Sequence, residues 1–275
     1  MLRSMYSGIS GMKGFQTKLD VIGNNIANVN TNGFKKGRVT FQDMMSQTTR
    51  GAQGPVENGR GGINPMQVGL GSKVGTIDNI HTQGFTQPTG SGLDLAIEGN
   101  GMFVLRDGEG ANATEYYTRA GNFYLDEDGY IVNTDGFYVI GVDGNRIQID
   151  ENTVQSYSIA TDGTVNIVDN TGAPATVGQI ALANFSNPAG LEKVGNNLFL
   201  NSQNAGLDAT DGRAILHAPD SGTMGKTVAS ALEMSNVDLA EEFTEMIVAQ
   251  RGFQANTRII TTSDEILQEL VNLKR

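Results

Sequence analysis

The sequence predicts a mixed, mainly β protein whose N- and C-terminal helices pair as a coiled coil, with an antiparallel β-domain between them. Three observations lead there. In the last 40 residues Leu239, Met246, Phe253, Ile260 and Leu267 recur every seven positions, the period of a coiled-coil seam. At the start, Leu2, Met5, Ile9, Met12, Phe15, Leu19, Ile22, Ile26 and Val29 follow one another by threes and fours along one stripe of a helix. Between these ends lie most of the 36 glycines, separating short runs of strand-forming residues.

The N-terminal helix should stop near residue 30, where Asn28, Asn30, Asn32 and Gly33 gather. Residues 34–73 are expected to form an extended connector, because 46–72 are rich in Gly, Gln, Thr and Ser and offer little to bury. From 74 to 234 the pattern is that of an antiparallel β-domain, with a small outer subdomain at about 145–190. Its expected strands include Leu93–Ile97, Gly101–Leu105, Asn122–Leu125, Phe137–Ile140, Arg146–Ile149 and Thr164–Val168. Asp128-Gly129, Asp135-Gly136, Asp143-Gly144 and Asp162-Gly163 read as hairpin turns between them.

The C-terminal helix has a start signal in Asp238, with Glu241 placed to close a capping box, while Lys274 and Arg275 suit its negative end. Phe243, Val248, Ile259, Ile266, Leu270 and Leu273 add apolar surface beside the heptad positions. Such a helix would be roughly 50 Å long at 1.5 Å per residue. The helical domain is thus expected to comprise 1–33 and 235–275.

Charge separates the two ends. Arg3, Lys13, Lys18, Lys35, Lys36 and Arg38 face a single acid, Asp20, in the first 40 residues, whereas Asp238, Glu241, Glu242, Glu245, Asp264, Glu265 and Glu269 dominate the C-terminal helix. Opposite charges flanking two apolar stripes select register and partner more than they stabilise, since an exposed pair contributes only ~0.2–1 kcal/mol. The net charge of −11 and the lack of a basic stripe beyond the N-terminal helix argue against nucleic acid as a partner. The absence of cysteine excludes disulfides, thiolate metal sites and cysteine nucleophiles. Met-Leu-Arg-Ser-Met-Tyr-Ser-Gly carries no apolar signal core, so no cleaved secretory signal is expected, and no run is apolar enough for membrane insertion.

Reactive constellations are missing. His81 and His217 stand at no metal-binding or catalytic spacing. Leu125-Asp126-Glu127-Asp128-Gly129 starts like a calcium loop but lacks its later ligands, so a turn is expected. Gly69-Leu70-Gly71-Ser72-Lys73-Val74-Gly75 misses the dinucleotide spacing and precedes no helix. No catalytic residue, cofactor or metal ligand is therefore assigned, and an enzyme is not expected.

Specific strings carry more information. LDVIGNNIANVNTNGFKK (Leu19 to Lys36), LEMSNVDL (Leu232 to Leu239), EMIVAQRGFQAN (Glu245 to Asn256), GLDLAIEGNGMFVL (Gly92 to Leu105) and YTRAGNFYLDEDG (Tyr117 to Gly129) resemble bacterial flagellar rod and hook proteins, the axial proteins of the flagellum. On this resemblance the signature residues are Asn24, Asn25, Asn28, Asn30, Gly33, Phe34, Ser235, Asn236, Val237 and Asp238. Within the family PTGSGLDLAI (Pro88 to Ile97) with SNVDL and MIVAQR is more similar to hook proteins, of the compact Gram-positive type.

The resemblance implies a hook subunit that polymerises with copies of itself into a flexible helical tube and transmits motor torque. It implies further partners in the distal rod protein, the hook cap, the hook–filament junction proteins and the flagellar type III export apparatus, which would deliver the chain outside the cell without a cleaved signal. The expected assembly interface is Leu2, Met5, Ile9, Met12, Phe15, Leu19, Ile22 and Ile26 with Leu239, Phe243, Met246, Phe253, Ile260, Leu267 and Leu270. A distal rod subunit of the basal body is the alternative within the family. From another class, a secreted β-domain adhesin could use the helices as an oligomerisation stalk.

Overall fold

The computed structural model describes residues 2–55, 61–108, 113–150, 154–170, 172–206, 209–210 and 213–273. They form two compact units, one of Met1–Ala27, Gly37–Asn79 and Asp238–Arg275, the other of Asn28–Lys36 and Ile80–Val237.

The first unit holds both long helices, α1 (Leu2–Ala27) and α2 (Leu239–Asn272). Asp238 caps α2 as its position suggests, its carboxylate accepting from the backbone N–H groups of Ala240 at 2.8 Å and Glu241 at 3.4 Å. Lys274 and Arg275, expected at the far end, lie outside the described residues.

Residues 34–73 are more structured than an extended connector. Strand β1 (Gly37–Asp43) runs out and β4 (Ser72–Asn79) returns antiparallel to it, with a bulge between Val39 and Phe41. Beyond them β2 (Gln47–Arg50) pairs with β3 (Met66–Val68), a ribbon exposed along its whole length. What composition concealed is a partner: α1 lies against this excursion, with Phe15 and Phe41 rings 5.9 Å apart and no room for a side chain at Gly14, where a Cβ would come within 2.9 Å of Phe41.

The second unit is antiparallel throughout, as the turn spacing predicts. Its strands run β5 (Thr86–Pro88), β6 (Leu95–Glu98), β7 (Met102–Arg106), β8 (Glu115–Thr118), β9 (Tyr124–Leu125), β10 (Ile131–Val132) and β11 (Tyr138–Val139). They continue as β12 (Val154–Ile159), β13 (Thr164–Asp169), β14 (Pro174–Gln179), β15 (Leu182–Ala183), β16 (Glu192–Gly195) and β17 (Leu198–Leu200). The short pair β18 (Ala209–Thr210) and β19 (Arg213–Ala214) precedes β20 (Lys226–Ala229) and β21 (Ala231–Glu233). The main sheet has the order β16-β17-β8-β7-β11-β10-β9, with β15 also on β7, while β12, β13 and β14 make a separate three-stranded sheet. Segment Arg146–Ile149, expected as a strand, is held only by isolated bridges at Arg146 and Gln148.

Strand β7 organises the core. Successive side chains of a strand point to opposite faces, and here Phe103 and Leu105 enter one apolar cluster with Leu95, Ile97, Ile180 and Leu182. Met102 and Val104 enter a second with Tyr117, Ile140 and Phe199. A strand buried on both faces reads as the continuous apolar run Met102-Phe103-Val104-Leu105. The turn glycines Gly129, Gly136, Gly144 and Gly163 all take positive φ, which makes the Asp-Gly pairs the turns their chemistry suggests.

Candidate functional site

The two helices of the first unit contact one another and run antiparallel. Gly8 lies against Ile260, Gly11 against Asn256, Phe15 against Gly252, Lys18 forms an ion pair with Glu245, and the Asn25 amide donates to Glu242 Oε2 at 3.1 Å. On α2 the residues turned inward are two interleaved rows. One is Met246, Phe253, Ile260 and Leu267, half-buried, and the other is Glu242, Ala249 and Ser263, buried, with Asn256, half-buried.

The second row could not be found by apolar periodicity, because it is small or polar. Glycines let the helices approach beside it: a Cβ at Gly11 would lie 2.8 Å from Asn256 Nδ2, and one at Gly252 would lie 2.6 Å from Phe15 Cζ. The matching signal, glycines at helical spacing inside α1, is present as Gly8 and Gly11, but the apolar stripe beside them dominates the pattern.

The expected interface residues divide accordingly. Ile22 is buried, and Met5, Met12, Phe15, Leu19, Ile26, Met246, Phe253, Ile260 and Leu267 are half-buried. Ile9, Leu239, Phe243 and Leu270 are exposed, at 36%, 40%, 50% and 49%. Ile247, Val248, Ile259, Ile266 and Val271 join them, so α2 leaves much apolar surface exposed, distributed around the helix rather than along one stripe. The Leu2 side chain lies outside the described residues.

The signature residues act as ties. In the first unit Asn25 is 2% exposed and closes a two-bond clasp on Gly37, donating to its carbonyl and accepting from its N–H, both at 2.9 Å. In the second unit Asn236 accepts from the Lys36 N–H at 2.8 Å and donates to the Ile80 carbonyl at 2.8 Å. Gly33 donates its N–H to the Glu233 carbonyl at 2.8 Å. Phe34 is buried beneath the Lys193 ammonium, 4.7 Å from the ring centroid. Ser235 is buried and accepts from the Val237 N–H, Asn28 accepts from the Thr31 hydroxyl, Val237 is half-buried, and Asn24 and Asn30 are exposed.

The second unit also holds a buried charge cluster that the sequence did not announce. Glu233 is inaccessible to solvent and holds Lys35 Nζ at 2.7 Å with one oxygen and Arg119 Nη1 at 3.2 Å with the other. Burial lowers the Lys35 and Arg119 pKa values, and Glu233 opposes that shift by favouring both charged forms. His81, beside them, is pushed down to about 4, first by burial and then by the charges of Lys35, Lys193 and Arg119. Among the described residues no group of three or more His, Cys, Asp and Glu is placed to hold a metal ion, and no helix is long and apolar enough to cross a membrane.

Terminal helices flanking a β-rich stretch in sequence, with buried polar ties at the signature residues, define a helix-flanked β class of protein. Comparison with known families gives the same class a name: residues 5–35 match the family "Flagella basal body rod protein", 96–167 "Flagellar hook protein FlgE/F/G D1 domain", and 228–273 "Flagellar basal body rod FlgEFG protein C-terminal". The chain belongs to the flagellar rod and hook family, structural components of the bacterial flagellum. It is 57% identical over 275 residues to the flagellar basal-body rod protein FlgG of Bacillus subtilis (strain 168), covering all of both chains. It is 38% identical over 278 positions to the rod protein FlgG of Borreliella burgdorferi, and 30% identical over 452 positions to the hook protein FlgE of the same organism, again covering all of each chain.

Proposed function

We propose that this chain is a distal rod subunit of the flagellar basal body rather than a hook subunit. One observation carries the choice: rod relatives align end to end over 275 and 278 positions, whereas the hook relative needs 452. The hook-like strings SNVDL and MIVAQR lie within 228–273, the stretch matched by one family model for FlgE, FlgF and FlgG together, so they carry little weight in choosing between rod and hook.

In this reading the facing rows of α1 and α2 close as an antiparallel coiled coil, and the outward face of α2 around Phe243 and Ile247 packs against further copies in a helical homopolymer. The signature clasps at Asn25 and Asn236 set where the chain leaves and re-enters the helical unit. The other partners are the flagellar type III export apparatus, which would deliver the chain outside the cell, and the adjoining axial proteins. Basal bodies from a strain lacking the gene, imaged by electron microscopy, test the assignment. Rods cut short are expected, and complete rods missing only the curved extension would return the chain to the hook.

A further inference from the structure

A cavity of about 290 Å³ in the second unit is lined by Lys35, His81, Asn100, Arg119, Asn184 and Ser186 together with apolar neighbours. Among the described residues its lining contains no carboxylate. Lys35 and Arg119 are 1% and 7% exposed, and each retains donors after its protein partners are served. Lys35 gives two N–H groups, to the Thr82 carbonyl at 2.8 Å and to Glu233 at 2.7 Å, out of three. Arg119 gives three, to Ile97, Glu233 and Gly99, out of five. Both ring nitrogens of His81 are buried with no hydrogen-bond partner among the described residues.

The charge count is unbalanced in the same direction. Lys35, Arg119 and Lys193 all act on His81, and among the described residues Glu233 is the one acid bonded to the first two. An excess of positive charge gathered around a cavity is unusual in a chain of net charge −11. Cations removed from water are costly unless paired, so the arrangement calls for a second anion.

We propose that this cavity binds a small oxyanion, a phosphate or a carboxylate, whose oxygens accept from Lys35, Arg119 and His81. The Asn100 and Asn184 amides and the Ser186 hydroxyl complete the donor set. Such a ligand favours the charged imidazole, so it also raises the titration of His81 from about 4 toward its ordinary range.

The test uses the purified full chain, titrated calorimetrically with sodium phosphate and separately with sodium acetate at constant ionic strength against a chloride blank. His81 is followed in parallel by NMR. Saturable binding is expected, with the His81 midpoint moving up by about one pH unit or more. A response to phosphate alone assigns the site to a free inorganic ion, and a response to acetate assigns it to a carboxylate. Asn184→Asp puts a negative charge in the cavity without touching the Glu233 pairs, and should weaken binding by about tenfold or more while raising, or at least not lowering, the melting temperature, since it supplies the missing counter-charge. Absence of saturable heat with both anions, an unmoved His81, or wild-type binding by Asn184→Asp would overturn the proposal.

Discussion

At Gly33 the backbone has φ +70°, and a Cβ there would lie 2.6 Å from the Ala120 nitrogen and 2.8 Å from the Arg119 carbonyl carbon. Backbone cannot yield as a side chain can, so Gly33→Ala should destabilise the second unit by about 2–4 kcal/mol, combining left-handed strain with overpacking. Urea unfolding followed by tyrosine fluorescence, suited to a chain without tryptophan, would register the loss as a lower midpoint at unchanged slope. His81 makes a pH prediction at the same scale. The unfolded chain takes up its proton near pH 6.5 and the folded one only near 4, so across that window the unfolded state binds more protons. Stability due to neutral His81 is complete above about pH 6.5 and declines as pH falls toward 4, by about 2–3 kcal/mol after allowing for its partial exposure. In His81→Phe the urea midpoint should fall less steeply over that range, and an unchanged pH dependence would refute the assignment.

Among elements, the helix pair shows what a sequence discloses and what it hides. Met246, Phe253, Ile260 and Leu267 were legible because apolar residues repeated every seven positions fall on one face of a helix and on no single face of a strand. Their companions Glu242, Ala249, Asn256 and Ser263 were not, since small and polar residues at a packed row look like solvent-facing ones until the partner backbone is seen. The ladder of β1 and β4 was missed for a related reason. Its glycines, threonines and charged residues imply exposure, yet it is completed by α1 through Gly14 and Phe41. Of the buried charges, Lys35 counted only toward a basic terminus, because nothing in one dimension places it 2.7 Å from a carboxylate 198 positions away. Gly11→Leu tests the close approach directly. A leucine would improve helix propensity by up to about 1 kcal/mol, but it must displace Asn256. We expect the helix pair to loosen, with earlier loss of α-helical circular dichroism on heating, and a raised melting temperature would count against the contact.

For the molecule as a whole, the exposed face of α2 makes a prediction that separates folding from assembly. Ile247 is 58% exposed and Val248 57%, so neither helps to hold this chain together. Ile247→Asp should leave the unfolding midpoint within about 0.5 kcal/mol of the parent, as surface changes do. It should nonetheless raise the concentration needed to polymerise by about tenfold, measured by sedimentation. Normal polymerisation of this variant would remove the face from the assembly.

The first unit is assembled from three stretches of chain, the last of them beginning at Asp238. Helix α1 leaves a ribosome more than 200 residues ahead of the partner it packs against. The contacts between the two helices therefore cannot form until α2 has been made. A chain that stopped before Asp238 would keep its β strands but have no α2, so α1 would present to water the stripe that Phe15 and Ile22 now bury.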